Sequence, residues 1–181
     1  GARPHHRPGA GPQRQRLLGE RALGAHAEHR DLGQAVGDEA SAALAAQYHV
    51  TATSIVEAHQ GAVLELVADT VLAVFRSASD ALRAAATLRA AVYDFVWPEG
   101  CDIDVTMALH SGRWSGDPLR PSAGTALYRV SCLARTSQRG QVLVSATTAG
   151  LIEGDREAPA LRSLGIQTIR TLEEPAHLYE L

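Results

Sequence analysis

A chain of 181 residues is long enough for one core of ordinary size, and with 45% hydrophobic but only 4% aromatic residues that core is built from Ala, Val and Leu. The formal net charge of -3 gives no polyanion-binding balance, so nucleic acid is not an expected partner, and no run approaches the roughly 20 apolar residues of a membrane span. All 17 basic side chains are arginine, as in the proteome of a GC-rich genome. Cys101 and Cys132 are too few for a disulfide framework, which points to a reducing cytoplasm.

Residues 1–20 set Pro4, Pro8, Gly9, Gly11 and Pro12 among arginines and histidines. Such a segment cannot bury enough apolar area to offset its ordering entropy and is expected to be a flexible tail, with His5 and His6 exposed rather than metal-bound. The domain is expected over residues 21–181. From Asp38 to His59 an Ala-rich run carries Leu44, Tyr48, Thr51, Ile55 and Ala58 at helical spacing, ended by Gly61. Ala62 to Phe75 is rich in Val and Leu and is interrupted at Asp69 and Thr70, the pattern of two strands and a tight turn.

Ser77 with Asp80 three residues on predicts a capped helix with Ala81, Ala85, Leu88, Val92 and Phe95 on one face, broken by Trp97 and Pro98. Ile103, Val105, Met107 and Leu109 alternate with Asp104, Thr106, Ala108 and His110 as in a half-buried strand closed by Gly112. After a Gly/Pro loop over 113–121, a helix is expected over about 124–136 with Leu127, Val130, Leu133 and Ala134 inward. Val142 to Val144 reads as a strand, Ser145 as the cap of a helix to about Ile152, and short strands are expected around 162–164, 168–171 and 177–181. Helices mixed with hairpins, without strict alternation, give an α+β fold with an antiparallel-dominated sheet and helices packed on it. Leu44, Ile55, Val63, Leu88, Val105, Met107, Leu109, Val130, Leu133 and Val142 are the expected core.

Four segments in this order resemble the catalytic domain of the class III adenylate and guanylate cyclases. They are Gly37-Asp38-Glu39-Ala40; Glu57-Ala58-His59-Gln60-Gly61 with the hairpin ending Ala73-Val74-Phe75; Met107-Ala108-Leu109-His110-Ser111-Gly112; and Gly140-Gln141-Val142-Leu143-Val144-Ser145. The run Leu161-Arg162-Ser163-Leu164-Gly165 and the ending Glu174-Pro175-Ala176-His177-Leu178-Tyr179-Glu180-Leu181 are similar to that family's ending. The resemblance implies a ferredoxin-like nucleotide cyclase fold. Taken singly, Gly61, Gly112 and Gly140 read as turn glycines and His110 as a strand-end histidine that packs rather than catalyses.

What the resemblance implies about chemistry is a divided inheritance. Attack of a ribose 3'-hydroxyl on an α-phosphate needs charge neutralised on the triphosphate, and the family supplies two metal ions on two aspartates, an arginine, an asparagine and a purine-reading lysine and aspartate. The second metal aspartate matches Asp69, while counting back from Gly37 puts the first on Ala25, with Asp31 six residues too late. The lysine falls on Glu65, the purine aspartate on Pro121, the asparagine on Tyr128 and the arginine on Cys132. Arg129 is one residue from Tyr128, and Arg129 and Arg135 are each three from Cys132, steps that turn their side chains elsewhere on the helix. Tyr128 and Cys132 are expected to share a helical face and fill the former ribose-phosphate space. Glu65, Asp69, Pro121, Tyr128 and Cys132 thus mark a vestigial nucleotide cleft.

Losing one electrostatic stabiliser typically costs about 3 to 4 kcal/mol of barrier, so several such losses point to an impaired cyclase acting as a dimerisation or signal-relay module. No cofactor is expected, apart from magnesium or manganese if Asp69 remains a ligand; the plainer role for Asp69 is a hairpin-turn residue. The expected partner is a second copy or another cyclase-like chain. Two alternatives stay open, a regulatory domain binding a small nucleotide-like ligand through Glu65, Asp69 and Arg113, and a cyclase with substituted catalytic groups.

Overall fold

The computed structural model describes residues 22–28, 38–67, 70–95, 104–112, 125–169, 172 and 175–181. The expected tail over 1–20 and the positions Asp31, Asp69, Cys101, Arg113 and Pro121 lie outside them. The described elements are β1 (Ala22–Glu28), α1 (Asp38–Ala58), β2 (Ala62–Val67), β3 (Thr70–Val74), α2 (Ala78–Tyr93), β4 (Thr106–Gly112), α3 (Thr125–Thr136), β5 (Val142–Ser145), α4 (Ala146–Leu151), β6 (Arg162–Gln167) and β7 (Ala176–Glu180).

The strands form one 7-stranded sheet in the order β2-β3-β1-β4-β5-β7-β6. Only β4 and β5 pair in parallel; every other neighbouring pair is antiparallel. The first six elements run β1-α1-β2-β3-α2-β4 with β1 between β3 and β4, which is the split βαβ arrangement of a ferredoxin-like fold. This is the expected α+β class. Strand β1 was not anticipated: Ala22-Leu23-Gly24-Ala25-His26-Ala27-Glu28 holds no β-branched residue, and its place comes from partners on both sides rather than from local propensity.

Strand alternation divides the interior into two layers. On one face Val71, Ala73, Val105, Met107, Leu109, Val142 and Val144 meet Tyr48, Ala52 and Val56 of α1 and Ala81, Leu82, Ala85, Leu88 and Val92 of α2. On the other, Leu72, Val74, Ala108, Leu143 and Leu178 meet Leu127, Val130, Cys132, Leu133 and Ala134 of α3. Each large side chain fully withdrawn from water, such as Leu82 or Leu109, stabilises the fold by about 1.5–3 kcal/mol.

Several expectations need correction. The buried line of α1 is Tyr48, Ala52 and Val56; Leu44, Thr51 and Ile55 flank it half-buried and Ala58 is exposed. Apolar and uncharged polar residues are interspersed around the helix, so its sequence offers several candidate faces and packing against α2 and β2 selects among them. Val63 is also only half-buried, because β2 is an edge strand. The end of α2 comes at Tyr93, with Asp94 as C-cap, before Trp97 is reached. Residues 168 and 169 are not in a strand; Ile169 instead buries its side chain in the second core. The other seven expected core residues are buried.

Candidate functional site

Strand β2 carries a bulge between Val63 and Glu65, after which Glu65 pairs directly with Leu72 of β3. Side chains of a directly opposed antiparallel pair project to the same face, and Leu72 belongs to the layer under α3. Glu65 is therefore on the α3 side of the sheet. It is two strands out from β1, roughly 10 Å away at the usual strand spacing, and half-buried. Helix α3 packs across β1 and β4.

On α3, Tyr128 and Cys132 part company. Tyr128 is 56% exposed and Cys132 is 4% exposed, a free thiol within the core formed by Leu127, Val130 and Leu133. The expectation that the pair jointly fills one space is corrected: four residues on a 3.6-residue helix advance about 40 degrees, enough at the margin of a packed face to separate a core position from a solvent one. Arg129 and Arg135 are both exposed. Beyond the shared sheet face, no contact among Glu65, Tyr128 and Cys132 is described.

The hairpin of β2 and β3 pairs as far as Val67 opposite Thr70. Beside it, β1 runs antiparallel to β3 with Ala25 opposite Ala73 and Ala27 opposite Val71. Ala25 is consequently three residues, about 10 Å, short of the strand end. The next step of that register sets Glu28, the last residue of β1, level with Thr70, the first residue of β3. Counting along the sequence put the first metal position on Ala25; the register brings a second candidate to the strand end, Glu28, which sequence reasoning passed over because β1 itself went unseen. Among the described residues no group of three or more His, Cys, Asp or Glu is placed to hold a metal ion.

A second polar cluster, also missed, lies at the ends of β4 and β5. The parallel register pairs Leu109 with Val144, so the next residues, His110 and Ser145, are neighbours. His110 Nδ1 is 3.0 Å from Ser145 Oγ, Ser145 Oγ is 3.1 Å from Thr148 Oγ1, and Thr148 Oγ1 is 3.0 Å from Ser111 Oγ. All four are buried. Burial, with a smaller contribution from the Arg129 guanidinium, holds the His110 imidazole down to about 4 from its ordinary 6.5. The signal available in sequence was the break in apolar alternation at His110-Ser111 and at Ser145.

No protein-family model matches the sequence, and no curated protein matches it either. Solved structures do. The guanylate cyclase domain of RhGC from Catenaria anguillulae, in complex with GTP, superposes with a TM-score of 0.76 at 17% identity, covering 89% of this chain and 95% of that one. The adenylyl cyclase CyaB from P. aeruginosa gives 0.70 at 18%, covering 89% and 93%. A dimeric guanylyl cyclase domain of the RhoGC fusion protein from Blastocladiella emersonii gives 0.75 at 16%, covering 90% and 96%. The chain has the class III nucleotide cyclase fold.

Against that cyclase fold, the α3 positions resembling the ribose and phosphate contacts hold an exposed phenol and a buried thiol. The sheet position resembling the purine contact holds Glu65. The β1 end holds Glu28, and Asp69, which resembles the second metal position, lies outside the described residues. No described helix of this cyclase-fold chain is long and apolar enough to cross a membrane.

Proposed function

We propose that this chain is a cyclase-fold domain whose own nucleotide chemistry is impaired, and that it works in the cytoplasm as a dimerisation or signal-relay module. The observation that carries the reading is Cys132. Its side chain is in the apolar layer under α3, where a guanidinium would be desolvated without a partner, so the phosphate-binding charge is absent and its place is closed by packing. Glu65 in place of a purine-reading lysine adds a charge of the wrong sign, and no lysine exists in the chain to replace it. Dimeric domains among the structural neighbours support pairing with a second copy or with another cyclase-like chain. The test is product formation from ATP and from GTP with magnesium or manganese: no cyclic nucleotide is expected above a no-enzyme control.

A second reading is favoured by one observation, the placement of Glu28 level with Thr70, the residue that follows Asp69 in the sequence. Carboxylates at these two positions would supply the hard oxygen donors magnesium or manganese takes, and a bound ion would lower the cost of charge on a triphosphate. Under this reading the chain is a cyclase with substituted groups, and turnover abolished by both Glu28→Ala and Asp69→Ala would establish it. A nucleotide-dependent rise in melting temperature without turnover would instead indicate a regulatory ligand held near Glu65, Asp69 and Arg113.

A further inference from the structure

The four buried polar groups at the end of β4 obey a proton count that fixes their order. Each hydroxyl has one hydrogen to give, and a buried O–H without an acceptor is costly. Ser145 Oγ already accepts the Thr148 backbone N–H at 3.4 Å, as N-cap of α4. Suppose Ser111 donates to Thr148, Thr148 donates to Ser145, and Ser145 donates to His110 Nδ1. Every hydroxyl hydrogen then has an acceptor, and Ser145 Oγ is filled as a donor of one bond and an acceptor of two.

The opposite order starts from a hydrogen on Nδ1. Ser145 must then turn to Thr148, Thr148 to Ser111, and the Ser111 hydrogen is left with no acceptor among the described contacts, at a side chain only 3% exposed. A protonated imidazole carries hydrogen on both nitrogens and forces this second order. Nor do the surroundings welcome the charge. Helix α3 contributes Arg129, whose charge opposes it. Strand β5 and helix α4 carry no charged or titratable residue, β1 sets Gly24 opposite His110 and His26 one pair further along, and the ionisable residues of α2 are on the other face of the sheet.

We propose that His110, Ser145, Thr148 and Ser111 form a one-way hydrogen-bond chain that holds the imidazole as its neutral Nε2–H tautomer and latches α4 to the end of β4, and that protonation of the imidazole releases the latch. Gly112 completes the arrangement. A Cβ there would come within 3.3 Å of His110 Nε2 and 2.9 Å of Ala126 Cβ, so only a glycine leaves the ring edge and α3 their present approach. The latch joins two segments of which the short α4, six residues long, has little packing of its own: Thr148 is its buried side chain. Its hold on the sheet therefore passes largely through the hydroxyl chain.

Nitrogen-15 NMR of the full-length chain reads the tautomer directly. At pH 7 the His110 ring is expected to show an unprotonated Nδ1 and a protonated Nε2, and Ser145→Ala is expected to relax it toward a mixture of tautomers. Amide exchange, corrected for intrinsic rates, reads the latch. Protection of α4 amides is expected to fall by about tenfold or more between pH 7 and pH 4 while α2 amides at Leu82 and Leu88 hold to within about threefold. In Ser111→Ala, which removes the hydroxyl stranded by protonation, that selective loss is expected to shrink. A ring protonated on Nδ1 at pH 7 would overturn the proposal, as would α4 protection that follows α2 across the whole range. Should Ser145→Ala fail to fold, the wild-type tautomer and exchange profile still decide.

Discussion

At the scale of single residues, Gly61 is fixed by space and Gly140 by backbone conformation. A Cβ on Gly61 would meet the Phe75 ring at 2.5 Å and Val56 Cγ1 at 2.8 Å, between α1 and β3 where neither neighbour can retreat. The positive φ in that turn belongs to Gln60, at 62°, so Gly61 is not the turn glycine its sequence context implied. Gly140, at φ 71°, is. We predict that Gly61→Ala lowers stability by about 1–3 kcal/mol in urea titration and Gly140→Ala by about 1 kcal/mol. Equal small losses would show that the α1 turn yields. His110 gives a second residue-scale expectation, with its sign set by the lowered value. Above pH 6.5 the imidazole is neutral folded or unfolded. Between 6.5 and about 4 the unfolded chain takes a proton the folded one refuses, so stability falls with pH through that window by at most about 3 kcal/mol. His110→Asn should flatten that slope. Asp155, held below its ordinary 3.8 chiefly by the Ser79 hydroxyl, contributes stability that is lost as pH falls through that value, so it adds to the fall only at the acid end of the window.

Elements show what the sequence made legible. Helix α2 announces its start: the Asp80 amide donates to Ser77 Oγ at 3.3 Å, and its buried line Ala81, Ala85, Leu88 and Val92 follows the predicted spacing, although the helix stops at Tyr93, short of the expected break at Trp97. Polar and apolar residues are segregated around it, so only one face can go inward. Helix α1 lacks charged residues between Glu39 and Glu57, and without that contrast its orientation was decided by tertiary contacts. Strand β1 is the extreme case, an Ala/Gly segment that becomes a strand because β3 and β4 supply pairing on either side; with it unseen, counting along the sequence passed over Glu28. For the two serine caps we expect different costs. Ser77→Ala removes one cap bond and should cost about 1 kcal/mol. Ser145→Ala removes a cap bond and breaks the buried chain to His110 and Thr148, leaving polar groups without partners, and should cost about 2–4 kcal/mol by chemical denaturation. Similar values for both would show that the buried chain contributes little.

For the whole molecule, the family resemblance divides a cyclase site between two chains, with the metal carboxylates from one and the purine, ribose and phosphate contacts from the other. The two halves of this chain have fared differently. By that resemblance the second set falls on Glu65, Pro121, Tyr128 and Cys132, and Cys132 is buried in the layer under α3. By the same resemblance the first set keeps Asp69 in the sequence and, by the register of β1, has Glu28 level with Thr70, longer by one methylene than an aspartate. If either half still functions, it is the metal half. Our proposal expects that it does not, and that pairing with this chain withdraws an active partner from productive dimers. Mixed with a cyclase chain carrying only the metal aspartates, the protein should yield no product; mixed with one carrying only the purine and phosphate residues, it should again yield none; titrated into an intact homodimeric cyclase domain, it should lower the rate in proportion to the heterodimer formed. Product in the second mixture, lost on Glu28→Ala, would show that the carboxylate corner is a working half-site and that this chain is half of an enzyme rather than a damper of one.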